Sequence, residues 1–416
     1  MAHLLPRRLF VVLGALSAFG PLSMDLYLPA LPQVSAGLHS TEAVAQLTLS
    51  ACMVGLALGQ LVLGPVSDRY GRRTPLLIGV GAYAVTSLAC AFATDISLLI
   101  TLRLLQGMAG GAGIVIARAV VRDLCDTATA ARVFSLLMLV TGVAPIIAPL
   151  LGGQLLRFTH WQGTFVALAL VGCALLAAAL WAVPESLPRQ RRTRAGIRES
   201  RHELATVLRD RRFVGFTAVL ALGSGMLFCY IQMSPFVFQG EYGLSAQSFS
   251  LVFAANSAGI ILGGPLSASL VRRFGPGTTL TTGLTAGLAS AVTLATSAAL
   301  HMGLAVLLPL LFVTVSSVSL IMPTSTALAL SAHQSRAGAA SGPLGLAQFG
   351  IGGIIAPLIS AGGATAVLMT ASMAGAVLGA LVARLLVARL GPVTPGGQQD
   401  RGRDDGDPKD SSLVLG

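Results

Sequence analysis

One carboxylate, Asp25, lies inside an apolar segment of this 416-residue chain, in the stretch "PLSMDLYLPALP" at residues 21 to 32. Burying a carboxylate is expensive, so a chain that keeps one at membrane depth has a use for it. The other acidic residues fall in polar loops, at segment edges or in the polar C-terminal tail. A second ionisable group, Arg103, lies in "LRLLQGMAGGAG", where Arg103, Gln106, Gly107 and Gly110 share one helical face by i, i+3, i+4, i+7 spacing. At 1.5 Å per residue, Asp25 is about 22 Å in from one membrane face and Arg103 about 9 Å in from the other. In a core about 30 Å thick both reach the same outer third, where a carboxylate and a guanidinium can pair. Burial disfavours the aspartate's charge and a nearby arginine favours it, so its proton occupancy would follow the side of the membrane it faces. Exchange of a proton against a second solute requires that behaviour.

The elements that must hold these two groups follow from composition. The chain is 54% hydrophobic and only 10% charged, far below the roughly 25% charged residues of a soluble domain. Apolar runs of spanning length recur at about 9–30, 44–66, 75–94, 97–119, 132–156, 162–183, 213–236, 248–270, 278–298, 303–329, 338–361 and 364–388. These runs predict an all-α membrane protein of twelve transmembrane helices. The long polar stretch 184–212 divides it into two six-helix bundles, 1–183 and 213–390, followed by a disordered tail at 391–416. The first run has arginines before it but lacks a small-residue cleavage site, so it reads as a retained span.

Arginines alternate between the connections. Arg69, Arg72, Arg73, Arg122, Arg132, Arg272, Arg273, Arg336 and the 184–212 stretch fall on one side, and Arg157 alone on the other. By the positive-inside rule both termini are expected in the cytoplasm. The net charge of +11 therefore reflects topology and no nucleic-acid partner. The halves also repeat: "GPVSDRYGRR" at 64–73 returns as "GPLSASLVRR" at 264–273, and "IIAPL" at 146–150 returns at 354–358. Two six-span halves in one orientation form a parallel repeat, an arrangement that builds transporters with a substrate site between the halves.

The loop "GPVSDRYGRRTP" resembles the signature of the major facilitator superfamily, matched by Gly64, Asp68, Arg69, Gly71, Arg72 and Arg73. Gly64 would let helices approach closely, Gly71 would permit the tight turn, and Asp68 could cap or pair. The resemblance implies an acidic partner at the end of span 4, at Asp123, and a cytoplasmic latch that holds one conformation and breaks in the other. Arg103 looks like the superfamily's span 4 arginine. Span 5, "TGVAPIIAPLLGGQL", resembles the hinge motif of drug/proton antiporters through Gly142, Pro145, Pro149, Gly152 and Gly153, with Ala148 departing from the pattern. Around Asp25, "MDLYLPALP" is similar to the first span of the bicyclomycin and chloramphenicol resistance (Bcr/CflA) branch. That likeness implies proton-coupled efflux of drugs from the bacterial inner membrane, with phenicols as the first substrate expected.

Polar residues able to line a cavity are few: Tyr27, Gln106, Tyr230, Gln232, Asn256 and Gln348. A site this neutral suits a small amphipathic molecule better than a sugar phosphate or a dication. No G-x-x-x-x-G-K-[ST] loop is present, so the proton gradient rather than ATP is the expected driver. The six histidines are scattered and no cysteine pair has metal-ligand spacing, so neither a metal, a cofactor nor an enzyme is expected. The expected partners are a small-molecule drug, protons and the lipid bilayer, and the protein is expected to be monomeric. Proton-coupled uptake of a metabolite, or a non-transporting membrane sensor, are the alternatives.

Overall fold

A computed structural model describes residues 6–192, 208–331 and 337–389. Much of the polar 184–212 stretch and the tail expected to be disordered lie outside the described residues. The described residues form helices joined by short connections, with no strand among them. In order these are α1 (Arg7–Ser17), α2 (Phe19–Asp25), α3 (Leu31–Gly37), α4 (Glu42–Tyr70), α5 (Arg73–Ala91), α6 (Ile96–Leu124), α7 (Thr127–Leu155) and α8 (Trp161–Ala182). The C-terminal set follows: α9 (Arg211–Phe236), α10 (Ala246–Ala299), α11 (Leu304–Ser316), α12 (Val318–Leu330), α13 (Ala337–Ile359) and α14 (Ala366–Ala388). Several helix starts carry the polar caps that exposed backbone N–H groups need. Thr41, Asp95, Asp126, Ser245 and Thr365 each accept from the backbone N–H three residues on.

Among the described residues, ten helices are long and apolar enough to cross a bilayer, or eleven if the bent run Arg7–Ser17 and Phe19–Gly37 is one span. The sequence predicts twelve. Two of its segments, 248–270 and 278–298, fall within the 54 residues of α10, where Gly275 alone leaves helical geometry at φ 80°, ψ 162°. Glycine tolerates that backbone, and Pro276 follows it. The first span is also not the single helix expected over 9–30. It bends by 45° at Ala18, because Pro21 supplies no N–H to the turn before it and its ring crowds the Ser17 carbonyl. A short 3₁₀ turn at Leu28–Ala30 then separates Asp25 from α3.

Two ends of the helix array can be told apart. The arginine end carries the α4–α5 turn, the α6–α7 turn and the chain after α8, and the arginine-poor end carries the 38–41, 242–245 and 363–365 connections. The tightest crossing is α4 on α6. A Cβ added at Gly55, Gly59, Gly107 or Gly111 would strike backbone atoms of the partner helix, so i, i+4 glycine pairs on both helices bring the two backbones into contact. This crossing holds α6, and with it Arg103, against α4.

The N-terminal helices (α1–α8) meet the C-terminal helices (α9–α14) along a seam formed mainly by α7 on α10 and α4 on α13. Among the described residues five hydrogen bonds cross it, all in the arginine-poor half. Gln46 Nε2 donates to Ser360 Oγ at 3.0 Å, Ser50 Oγ to Gln232 Oε1 at 3.3 Å, and Gln239 Nε2 to the Pro29 carbonyl at 3.1 Å. Gln247 Nε2 donates to the Gly153 carbonyl at 2.6 Å, and Glu42 Oε2 accepts from the Ala364 N–H at 2.6 Å.

Candidate functional site

Asp25 ends α2, past the bend at Ala18 and just before the 3₁₀ turn at Leu28–Ala30. It is 6% exposed and makes no hydrogen bond or ion pair among the described residues. Across the seam it interacts electrostatically with Tyr230 on α9. The expected pairing with Arg103 does not form. The Arg103 guanidinium is wholly buried and lies over the adjacent rings of Tyr27 at 4.9 Å and Phe165 at 5.6 Å. Its Nη1 donates to Gln106 Oε1 at 2.5 Å, and Gln106 Nε2 donates to Ser87 Oγ at 2.7 Å. Equal depth did not bring the two charges together because Arg103 is held by the Gln106 amide of its own helix and by the ring faces of Tyr27 in span 1 and Phe165 on α8. Two of its nitrogens, Nε and Nη2, have no acceptor.

The arginine-end loop is organised around Arg72, which is 3% exposed. Its Nε donates to Asp123 Oδ2 at 2.8 Å, and its Nη1 meets Asp68 Oδ1 at 2.6 Å and Ser67 Oγ at 2.8 Å. Burial alone would push this guanidinium toward neutrality. The hydrogen bonds and charges of Asp123 and Asp68 more than offset that and raise its pKa. Gly71 turns the chain at φ 96°, a left-handed conformation, and a Cβ there would collide with the Glu185 carboxylate. The chain that forms these apolar spanning helices and this loop matches the family model of the Major Facilitator Superfamily over residues 13–357.

The chain belongs to the major facilitator superfamily.

It is therefore a membrane transporter and not an enzyme. It is similar to an uncharacterized MFS-type transporter of Bacillus subtilis, 38% identical over 89% of this chain and 93% of the relative. It is also similar to a bicyclomycin resistance protein homolog of Haemophilus influenzae, 28% identical over 84% of this chain and 88% of the relative. Among solved structures it shares the fold of a D-xylose-proton symporter, with a TM-score of 0.73 at 16% identity over 92% of this chain and 98% of that one.

The superfamily's loop residues do not all act together. Arg69 lies over the Tyr70 ring at 5.4 Å, and Arg73 Nη2 donates to the Leu180 carbonyl at 2.8 Å, so neither guanidinium pairs with a carboxylate among the described residues. Gly64 does not mark a close approach, since a Cβ there would meet Val115 at an ordinary 3.7 Å. Sequence reasoning placed Glu185 only among loop acids. It accepts from the backbone N–H of Arg72 at 2.8 Å and of Leu187 at 3.1 Å, tying the α4–α5 turn to the end of α8. The available signal was a carboxylate directly after Pro184, at the end where the arginine loop must lie.

On α7, Gly152 and Gly153 are the tight positions. A Cβ on Gly152 would strike the Leu26 carbonyl, one residue past Asp25, and one on Gly153 would strike Ser250 on α10. Gly142 has ordinary clearance from Ile261 at 3.9 Å. Pro145 and Pro149 lie inside α7, which runs continuously through them. Small residues thus let α7 touch span 1 on one side and the C-terminal helices on the other.

The six cavity candidates separate. Tyr27 and Gln106 are fully buried against Arg103, and the Tyr27 hydroxyl lies 3.0 Å from Thr48 Oγ1. Gln232 is fully buried in the seam, donating to the Gly352 carbonyl at 2.9 Å and accepting from Ser50. Tyr230 stacks on Phe253 at 5.5 Å and accepts from Asn256 Nδ2 at 3.0 Å, while the buried Asn256 Oδ1 has no donor. Gln348 on α13 is half-buried. One further cation escaped the sequence reading: Arg118 on α6 is exposed and has no hydrogen-bond or ion-pair partner among the described residues. No group of three or more potential metal ligands occurs among the described residues.

Proposed function

We propose that this chain exports small amphipathic drugs in exchange for protons, within the Bcr/CflA branch of the superfamily. The observation that carries the reading is Asp25, the one acid within a span, buried at a helix break beside the seam and left without a partner. An unpartnered carboxyl at that place can gain a proton when its surroundings are dry and lose it when water or a substrate reaches it. Arg103, fixed by Gln106 and two aromatic rings, is a second buried charge of the same group of helices, not paired with Asp25. The resistance-protein relative supports drugs as the cargo, and chloramphenicol-type phenicols remain the first candidates.

The seam supports alternating access. Hydrogen bonds across it cluster in the arginine-poor half, so releasing those few contacts would let the two groups of helices rock about α7, where Pro145, Pro149, Gly152 and Gly153 allow bending. Gly71, Asp68, Arg72 and Asp123 would latch the other end. Tyr230, Asn256, Gln232 and Gln348 would contact the drug from the C-terminal side. Counting α10 as two spans across Gly275 and the bent first run as one yields twelve spans in two six-helix bundles. The positive-inside rule then puts the arginine end and both termini in the cytoplasm of a bacterial inner membrane. The protein works as a monomer, with no cofactor beyond the gradient, which supplies about 2.3 kcal/mol per charge per 100 mV.

The test is reconstitution in vesicles with an imposed proton gradient. Wild type is expected to accumulate chloramphenicol on the acidic side and to release protons when drug is added. Asp25→Asn should abolish both while inserting normally. Accumulation by Asp25→Asn equal to wild type, or wild-type movement of drug together with protons in one direction, would end the exchange reading.

A further inference from the structure

A cavity of about 380 Å³ lies at the arginine end, bounded by Gly64, Ser67 and Asp68 of α4, Arg118 of α6 and Phe134 of α7. The α4 and α7 helices are the ones that reach across the seam, through Ser50 to Gln232 and through Gly153 to Gln247. A cavity between them therefore faces the space between the two groups of helices, not the lipid. Arg118 stands six residues before the end of α6, about 9 Å in from that end at 1.5 Å per residue. The acid lining the same cavity, Asp68, is already held by Arg72 at 2.6 Å. Arg122 lines the cavity one turn further out. Across the seam, no acidic residue occurs within α10–α14, and Arg272 and Arg273 lie on the arginine-end stretch of α10 just before the Gly275 break. An unpaired guanidinium thus stands at the mouth of the cleft, and no carboxylate among the described residues pairs with it.

We propose that Arg118 selects the cargo by charge, admitting neutral and acidic amphipathic molecules and repelling cations. The proposal rests on the export reading and narrows it. In a partly wetted cleft, one unit charge about 7 Å from another changes the interaction by an amount worth roughly three- to tenfold in affinity, less at high salt. The selection is electrostatic, so it depends on the sign at position 118 rather than on side-chain shape.

Vesicle transport of a neutral probe (chloramphenicol) and a cationic probe (ethidium) would be compared for wild type, Arg118→Gln and Arg118→Glu. The expected result is a rise in the ethidium-to-chloramphenicol ratio of roughly three- to tenfold for Gln, more for Glu, with the gain shrinking as salt is raised. Chloramphenicol transport by wild type is the control for the export reading itself. Binding to the purified protein supplies a readout that needs no transport: carboxyfluorescein affinity should fall at least threefold in Arg118→Gln and stay at the wild-type value in Arg8→Gln. Arg8 is a fair control, because it removes the same charge at the same end but lies over the Trp181 ring at 5.0 Å, outside the cavity. An unchanged probe ratio, an equal loss for both probes, or carboxyfluorescein binding indifferent to Arg118 would overturn the proposal.

Discussion

Arg72 should be coupled more strongly to Asp123 than to Asp68, although its contact with Asp68 is the shorter one. The distances are 2.8 Å to Asp123 and 2.6 Å to Asp68, but the exposures run the other way, at 15% for Asp123 and 41% for Asp68. Coulomb energy falls only inversely with distance, whereas the effective dielectric changes several-fold between a buried and a wetted site. Breaking a fully buried ion pair costs about 3–5 kcal/mol, and the residual exposure of Asp123 reduces that to about 2–3 kcal/mol. A pair with one half-wetted partner contributes under about 1 kcal/mol. Double-mutant cycles combining Arg72→Gln with Asp123→Asn and with Asp68→Asn isolate the two terms. Unfolding in mixed micelles can be followed by tryptophan fluorescence, because both tryptophans, Trp161 and Trp181, lie on α8, whose end Glu185 ties to the Arg72 turn. A coupling to Asp68 equal to or greater than that to Asp123 would refute the argument that desolvation, not distance, decides this latch.

Three other outcomes are expected. Gly107→Ala should destabilise the protein by about 1–3 kcal/mol in the same unfolding assay, because its Cβ must displace the Cys52 carbonyl, while Gly64→Ala should be near neutral. Gly152→Leu should leave membrane insertion intact but abolish drug transport in vesicles, since it forces span 1 away from α7 next to Asp25. Glu42→Ala removes the acceptor for the Ala364 N–H, so spin labels at exposed positions 39, in a turn, and 240, in the helical segment Val237–Glu241, should show a larger fraction of long distances than in wild type.

Membrane class, helical architecture, most segment positions and the family were legible in the residues alone. Long apolar runs leave the backbone no partner except itself, so helices follow from composition without tertiary information. The arginine loop was equally legible, because Gly71 needs a positive φ and Arg72 needs carboxylates wherever the helices go. Side-chain partners were not. Depth along an axis says nothing about direction around it, and so Asp25 and Arg103, level by residue count, turn to different neighbours: one toward Tyr230 across the seam, the other into Gln106, Tyr27 and Phe165. The break in span 1 at Ala18, the tight glycines of α4 and α6 rather than Gly64, the Glu185 brace and the unpaired Arg118 were likewise decided only by packing. The physical reason is one of range: hydropathy and turn preference are carried by neighbours in sequence, while a buried polar group is satisfied by whichever helix packing brings within about 3 Å of it.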